Sequence, residues 1–142
     1  MTRRLYIETS ALLHVLLDGD TTLAPALSGK NIFTSALTFV EASRAIGRAR
    51  RERRVDLGEA REAERQLAAF ERSCDVVAMD DEVLRRARES FPEEPVRTLD
   101  AIHLASLCAL DEVLGGFEVA TCDARVRRSA AALGFSVVPK MT

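Results

Sequence analysis

The sequence predicts an α/β protein built on a parallel β-sheet of five strands. Short apolar runs, most of them rich in Val, Ile or Phe, alternate with longer helical patterns, which is typical of βαβ units. Apolar residues make up 47% of the chain and charged residues 30%, an ordinary balance for a globular protein. Because 142 residues are enough to bury a substantial core, we expect one domain over residues 1–142.

Five segments have the length and composition of buried strands. They cover residues 4–8, 31–35, 75–79, 117–121 and 135–138. If the second and third strands lie on one side of the first strand, and the fourth and fifth on the other, the strand order reverses between the first and the fourth. Ligands of open parallel sheets bind at such a reversal, beyond the carboxyl ends of the strands.

Helices are predicted in the intervals between these strands. The first begins at Thr9 or Ser10, and Asp56 is the expected N-cap of the third. Thr98 is the expected N-cap of a later helix, and Gly134 should end the last one. The other helical segments cover residues 37–53, 57–72, 81–90, 99–114 and 124–133. About forty residues separate the second and third strands, more than one crossover requires, so we expect a pair of helices that protrudes from the sheet.

Four acidic residues are embedded in otherwise apolar sequence. Glu8 lies in Tyr-Ile-Glu-Thr-Ser-Ala-Leu-Leu, Glu41 ends Thr-Phe-Val-Glu, Asp100 lies in Arg-Thr-Leu-Asp-Ala-Ile-His-Leu-Ala, and Asp123 lies in Thr-Cys-Asp-Ala-Arg. An unpaired charge is costly to bury, so acids in such places usually converge on a cation. Each follows a strand or lies near the start of a helix, so all four can reach one end of the sheet.

At these motifs the chain resembles the PIN-domain ribonucleases, and among them the toxins of VapBC-type toxin–antitoxin pairs. The segment around Asp100 is the most specific part of the resemblance, which covers nearly the whole chain. It implies a three-layer α/β/α sandwich. It also implies an endoribonuclease in which Glu8, Asp100 and Asp123 hold one or two Mg²⁺ or Mn²⁺ ions and Glu41 completes the catalytic set. Thr121 matches a hydroxyl residue beside the last acid.

Position 8 departs from the family pattern, which has aspartate there. Glu8 keeps the charge but places its carboxylate one methylene further from the backbone. Mg²⁺ requires near-ideal octahedral geometry, and a displacement of about 1 Å in a catalytic group can cost on the order of a hundredfold in rate. Two readings therefore stay open: an active nuclease, or a weakened PIN-like module that binds RNA or protein.

The resemblance also implies partners: an RNA substrate, a VapB-like antitoxin and a second copy of the chain in a homodimer. The apolar helix at residues 11–17 and the helical pair could supply a groove for the antitoxin. Two arginine clusters could contact phosphates, one at residues 44–54 and one at Arg125, Arg127 and Arg128. His103, three residues after Asp100, is predicted mainly as a core residue, with a hydrogen bond to a ligand as the alternative.

Composition excludes several other classes of protein. Three cysteines without a Cys-x-x-Cys pair argue against a disulfide framework and favour a reducing, cytoplasmic location. No stretch approaches the roughly 18 apolar residues of a membrane span, and no Gly-rich phosphate loop is present. The formal net charge of -2 means that any nucleic acid must be bound by a local basic patch.

Overall fold

The computed structural model of the protein describes residues 3–19, 21, 23, 27 and 30–140. The ends of the predicted domain, residues 1–2 and 141–142, lie outside this described part. Five strands pair in parallel within it: β1 (Arg3–Ile7), β2 (Lys30–Ser35), β3 (Asp75–Val77), β4 (Phe117–Ala120) and β5 (Ser136–Val138).

The strand order is β3-β2-β1-β4-β5, which is the arrangement in which the order reverses between β1 and β4. Ile7 at the end of β1 is in register with Ala120 at the end of β4. The backbone N–H of Glu8 then donates to the carbonyl of Ala120 at 2.9 Å. The residues that follow β1 and β4 therefore leave the sheet side by side, at the point where the strand order reverses.

Six helices accompany the sheet in the described residues, and each lies within about three residues of its predicted bounds. They are α1 (Thr9–Asp18), α2 (Ala36–Arg51), α3 (Leu57–Ser73), α4 (Asp81–Ala87), α5 (Thr98–Val113) and α6 (Ala124–Ala132). Asp56 caps α3 as predicted, and it forms a reciprocal capping box with Glu59. Gly134, with φ of 97°, follows the end of α6 as predicted.

Several elements end one to three residues earlier than the sequence predicted, β3 and α4 among them. β3 stops at Val77 because its only neighbour, β2, ends at the paired residue Ser35, whose side chain already caps α2. α4 stops at Ala87 because the next two N–H groups, of Arg88 and Glu89, bond to carbonyls three residues back, which tightens and ends the helix.

The predicted N-cap of α5 is wrong by one residue. Thr98 is the first helical residue, and Arg97 before it is extended, with φ of -68° and ψ of 152°. The carbonyl of Arg97 accepts the first helical bond, from Ala101 at 2.8 Å, but no side chain caps this helix. The side chain at the cap position is thus a long cation, and its contacts define part of the site described below.

The two faces of the sheet are covered by different helices. Leu5 and Ile7 of β1 lie on one face, in a cluster with buried residues of α1, α2 and α3. Tyr6, between them in sequence, lies on the other face with Leu104 and Leu107 of α5 and with α6. This is the three-layer α/β/α sandwich that the family resemblance implied.

The predicted helical pair is formed by α2 and α3. Ala60, Ala63 and Leu67 of α3 are buried in the same cluster as Leu12 of α1 and Ile46 of α2, so α1 joins the pair to the sheet. In the residues described, no helix has both the length and the apolar character that crossing a membrane requires.

The capping box predicts how much the free energy of unfolding falls when the start of α3 is altered. Asp56→Ala leaves the N–H of Glu59 without its 2.7 Å bond, so we expect a loss of about 1 kcal/mol in the free energy of unfolding. Urea denaturation measures it. Glu71→Ala, an exposed acid on the same helix, is the control and should stay within about 0.5 kcal/mol of the parent. Equal effects of the two changes would contradict the capping role.

Candidate functional site

A cavity of about 550 Å³ opens at the carboxyl ends of β1 and β4. All four acids singled out in the sequence line it: Glu8 after β1, Glu41 on α2, Asp100 on α5 and Asp123 before α6. A depression of about 640 Å³ lies elsewhere, but it is lined by α4 and the residue after it and contains none of these acids. The acids therefore identify the first cavity as the candidate site.

Glu8 is 6% exposed and is held by three hydrogen bonds. The backbone N–H of Ser10 donates to Oε2 at 3.0 Å, so Glu8 is the N-cap of α1. The hydroxyls of Ser10 and Thr121 each donate to Oε1 at 2.5 Å. Those hydroxyls in turn accept from the backbone N–H groups of Cys122 and Asp123, at 2.8 and 3.1 Å. The longer side chain at position 8 is thus held in place by β4 and the chain that follows it.

Glu41 is partly buried and bonded through a single oxygen. The hydroxyl of Thr9 donates to Oε1 at 2.7 Å, and Nε2 of His103 lies 2.6 Å from the same atom. Burial raises the pKa of Glu41, but these two hydrogen bonds and the nearby charge of Arg97 outweigh it and lower the pKa. Glu41 is therefore held as an ionised group at neutral pH.

Asp100 and Asp123 are brought together by one guanidinium. Arg97 donates from Nε to Asp100 Oδ2 and from Nη2 to Asp123 Oδ2, both at 2.7 Å. Asp123 is also the N-cap of α6, where its Oδ1 accepts from the N–H groups of Arg125 and Val126. Burial raises the pKa of Asp123, but the bonds from Arg97 and from these two N–H groups outweigh it, so the pKa is lowered.

The carboxylate ligands at this site fit a divalent cation only in part. Carboxylate oxygens are the ligands that Mg²⁺ and Mn²⁺ prefer, and the Asp100–Asp123 pair already holds a positive group between its two Oδ2 atoms. Among the described residues, however, no three acids, histidines or cysteines lie close enough together to hold one ion. Glu8 and Glu41 face their own hydrogen-bond donors, so the four acids share a cavity without forming one cluster.

Two site residues were not identified as such from the sequence. Arg97 was not singled out, although its position three residues before Asp100 at the start of a helix is a usable signal. His103 was assigned mainly to the core. It is indeed buried, but it also contacts Glu41, so the alternative of a hydrogen bond to a site acid is the correct part of that prediction.

The predicted arginine clusters are divided by the fold. Arg44 and Arg48 line the cavity, while Arg50, Arg53 and Arg54 line a separate depression beside the α2–α3 turn. In the second cluster, Arg125 and Arg128 line a cavity of about 310 Å³. Arg97 lines both this cavity and the one that contains the four acids. Arg127 instead donates to the carbonyls of Thr121 and Pro139. The basic surface at the site therefore draws on three helices or helix starts.

Comparison with known proteins gives consistent results. A family model described as the PIN domain matches residues 5–132. Ribonuclease VapC35 of Mycobacterium tuberculosis is 34% identical over 140 residues, which are 94% of this chain and 95% of that protein. Ribonuclease VapC46 of the same species is 39% identical over 106 residues, 74% and 71% of the two chains.

Similarity to a solved structure extends the comparison to the fold. One chain of a toxin–antitoxin complex from Klebsiella pneumoniae matches with a TM-score of 0.66 and 18% identity. The match covers 97% of this chain and 99% of that one. At this identity the match shows that the two chains share a fold.

The ion pair between Arg97 and Asp123 predicts how the pKa of Asp123 changes when the arginine is removed. Arg97→Gln removes the guanidinium, so we expect the pKa of Asp123 to rise, measured by NMR of its side-chain carboxyl carbon. Because the pKa of Asp123 is lowered in the folded state, its ion pair with Arg97 stabilises the fold above about pH 4. This stabilisation is lost as the pH falls through the folded-state pKa of Asp123. The stability cost of Arg97→Gln, about 1 kcal/mol or less for so exposed a pair, should therefore shrink in acid.

The matched control is Arg65→Gln, which removes an exposed arginine paired with Glu62 on α3. It should leave the titration of Asp123 unchanged. If Arg97→Gln likewise leaves it unchanged, the 2.7 Å bridge does not form in solution.

Proposed function

This chain belongs to the PIN-domain family and, within it, to the VapC group, and on that premise we propose that it is an endoribonuclease that acts as the toxin of a toxin–antitoxin pair. The observation that carries the proposal is that all four predicted acids line one cavity at the reversal of strand order. The names of the curated relatives, ribonucleases VapC35 and VapC46, support it.

We assign cation binding to Asp100 and Asp123, with Glu8 as a further ligand once its carboxylate turns from Ser10 and Thr121 toward the two aspartates. The two aspartates are supported by the cation that they already share, since a divalent ion could take the place of the Arg97 guanidinium. When bound, Mg²⁺ or Mn²⁺ would polarise a phosphate oxygen of RNA and lower the pKa of a water molecule.

Glu41 is assigned to orient the attacking water. Both of its hydrogen bonds use Oε1, which leaves Oε2 for a ligand in the cavity. Its lowered pKa keeps it ionised at neutral pH, so that it can accept a hydrogen bond from water. By family resemblance the products carry a 5′-phosphate and a 3′-hydroxyl.

The arginines at the cavity are assigned to the RNA backbone. Arg44 and Arg48 lie on one side, on α2, and Arg97 lies on the other, with half of its side chain exposed. Arg125 and Arg128 continue the positive surface into the adjoining cavity. Contacts of this kind bind phosphates without reading sequence, and they weaken as salt is added.

Partners follow from the same premise: a VapB-like antitoxin and a second copy of the chain. A cavity of about 420 Å³ lies between α1 and α3, lined by Val15, Leu16 and Leu17 on one side and by Ala63 on the other. Its lining by these two helices supports the assignment of this groove to an antitoxin segment. An arginine or lysine of that segment would compete for the acids of the site.

Cleavage of RNA is the direct test of the proposal. We expect the chain to cut total RNA with Mn²⁺ and not with EDTA. Asp100→Asn should lower the rate by about a hundredfold or more, whereas Asp111→Asn, an acid on the same helix outside the cavity, should not. End-labelling of the products checks for 5′-phosphates. Equal rates for the two variants would contradict the assigned site.

Position 8 separates an efficient from a weakened nuclease. Glu8→Asp shortens the side chain toward the family pattern and withdraws it from Thr121, so we expect faster Mn²⁺-dependent cleavage, by roughly tenfold or more. Equal rates would mean that glutamate is a fully competent ligand. Absence of cleavage by parent and variant alike, on total RNA, would favour the binding-module alternative.

Cation binding has a readout that does not require activity. Because a ligand of the native state stabilises it, Mn²⁺ should raise the melting temperature of the chain in proportion to the logarithm of its concentration. The double variant Asp100→Asn/Asp123→Asn should lose this rise, and Asp111→Asn should retain it. A rise that persists in the double variant would place the cation elsewhere.

A further inference from the structure

A chain of buried polar groups runs from the centre of the sheet to the cavity. Tyr6 on β1 is 1% exposed, and its hydroxyl lies 2.7 Å from Nδ1 of His103 on α5, which is 2% exposed. Nε2 of His103 lies 2.6 Å from Oε1 of Glu41 on α2. Thr9 on α1 contacts both Glu41 and His103, at 2.7 and 3.2 Å. Three elements therefore meet at one carboxylate, and β1 is linked to it through His103.

The direction of each bond follows from the proton that each group carries. A tyrosine hydroxyl carries its proton at neutral pH, so the Tyr6 hydroxyl, 2.7 Å from Nδ1, can donate to it. An imidazole that accepts at Nδ1 carries its proton at Nε2. Nε2 then donates to Glu41 Oε1, and the hydroxyl of Thr9 donates to the same atom.

This arrangement does more than satisfy a buried histidine. A packing role would require only that both ring nitrogens find partners, whereas here one partner is an acid that lines the cavity. Both bonds to Glu41 hold Oε1, which leaves Oε2 as the oxygen available to the cavity. His103 also lies one turn after Asp100 on α5, so the helix that supplies one site acid positions another.

We propose that His103 is a positioning residue of the nuclease: held by Tyr6 as the Nε2–H tautomer, it fixes Glu41 with Oε2 directed into the cavity. The inference rests on the proposed function, because it assigns Glu41 a task in cleavage. His103 touches neither substrate nor reacting atoms and acts only through Glu41. Removing a hydrogen-bond partner that orients a site residue in this way typically changes activity by about 10- to 100-fold.

Kinetics of three variants test the role. His103→Leu fills the core but removes the donor, so we expect kcat to fall by about 10- to 100-fold with little change in KM. His103→Gln, whose amide can donate to Glu41, should recover at least part of that loss. Thr38→Val is the matched control: Thr38 is fully buried on α2 and its hydroxyl bonds to Thr34 and not to Glu41, so this change should reduce stability without lowering kcat.

A double-variant cycle separates positioning from general destabilisation. In a Glu41→Gln background, His103→Leu should lower kcat no further, because its effect passes through the Glu41 carboxylate. A purely structural effect would lower kcat by the same factor in both backgrounds, and that result would overturn the proposal. So would a His103→Leu variant with the parent's kcat.

The tautomer can be measured without any cleavage assay. Nitrogen-15 NMR of the metal-free protein should show His103 protonated at Nε2 and accepting at Nδ1, and Tyr6→Phe should disturb that pattern. The opposite tautomer in the parent chain overturns the positioning role even if RNA is cut. If the tautomer is as expected but the parent cuts no RNA with Mn²⁺, the proposed function fails, and the catalytic role of His103 fails with it.

Discussion

The crowding of four carboxylates at one edge of the sheet is the constraint on which the rest of the structure depends. Like charges in a cavity repel, and each loses part of its hydration, so each needs its own source of positive charge or hydrogen-bond donors. Three separate arrangements meet this need: hydroxyls and a helix start for Glu8, the pair Thr9 and His103 for Glu41, and Arg97 for the two aspartates. Each acid of the site thus has protein groups as its partners.

The same partners connect elements that are distant in sequence. Thr121 joins the end of β4 to the end of β1, and His103 joins α5 to α2 and to β1. Arg97 joins the start of α5 to the start of α6. Because these contacts surround the cavity, the groups that set the charge of the site also fix the relative positions of the helices that form it.

Most of the fold was predictable because the signals are local. Alternating apolar runs located the five strands, and Asp56 and Gly134 marked a helix start and a helix end. The placement of Glu8 and Asp123 at one edge followed from strand order. Contacts that depend on side-chain direction were not predictable. The bridge from Arg97 depends on α5 starting at Thr98, one residue before its predicted start. The bond from His103 depends on the packing of α5 against β1.

Two of the four acids also begin helices, Glu8 for α1 and Asp123 for α6. Asparagine is nearly as good as aspartate at a helix start, because a neutral side-chain oxygen still accepts the backbone N–H bonds. A single Asp123→Asn change would therefore remove the charge while preserving the start of α6. Charge and fold are separable at this position, so a chain that keeps the start of α6 but lacks one of the four site charges lies one substitution away.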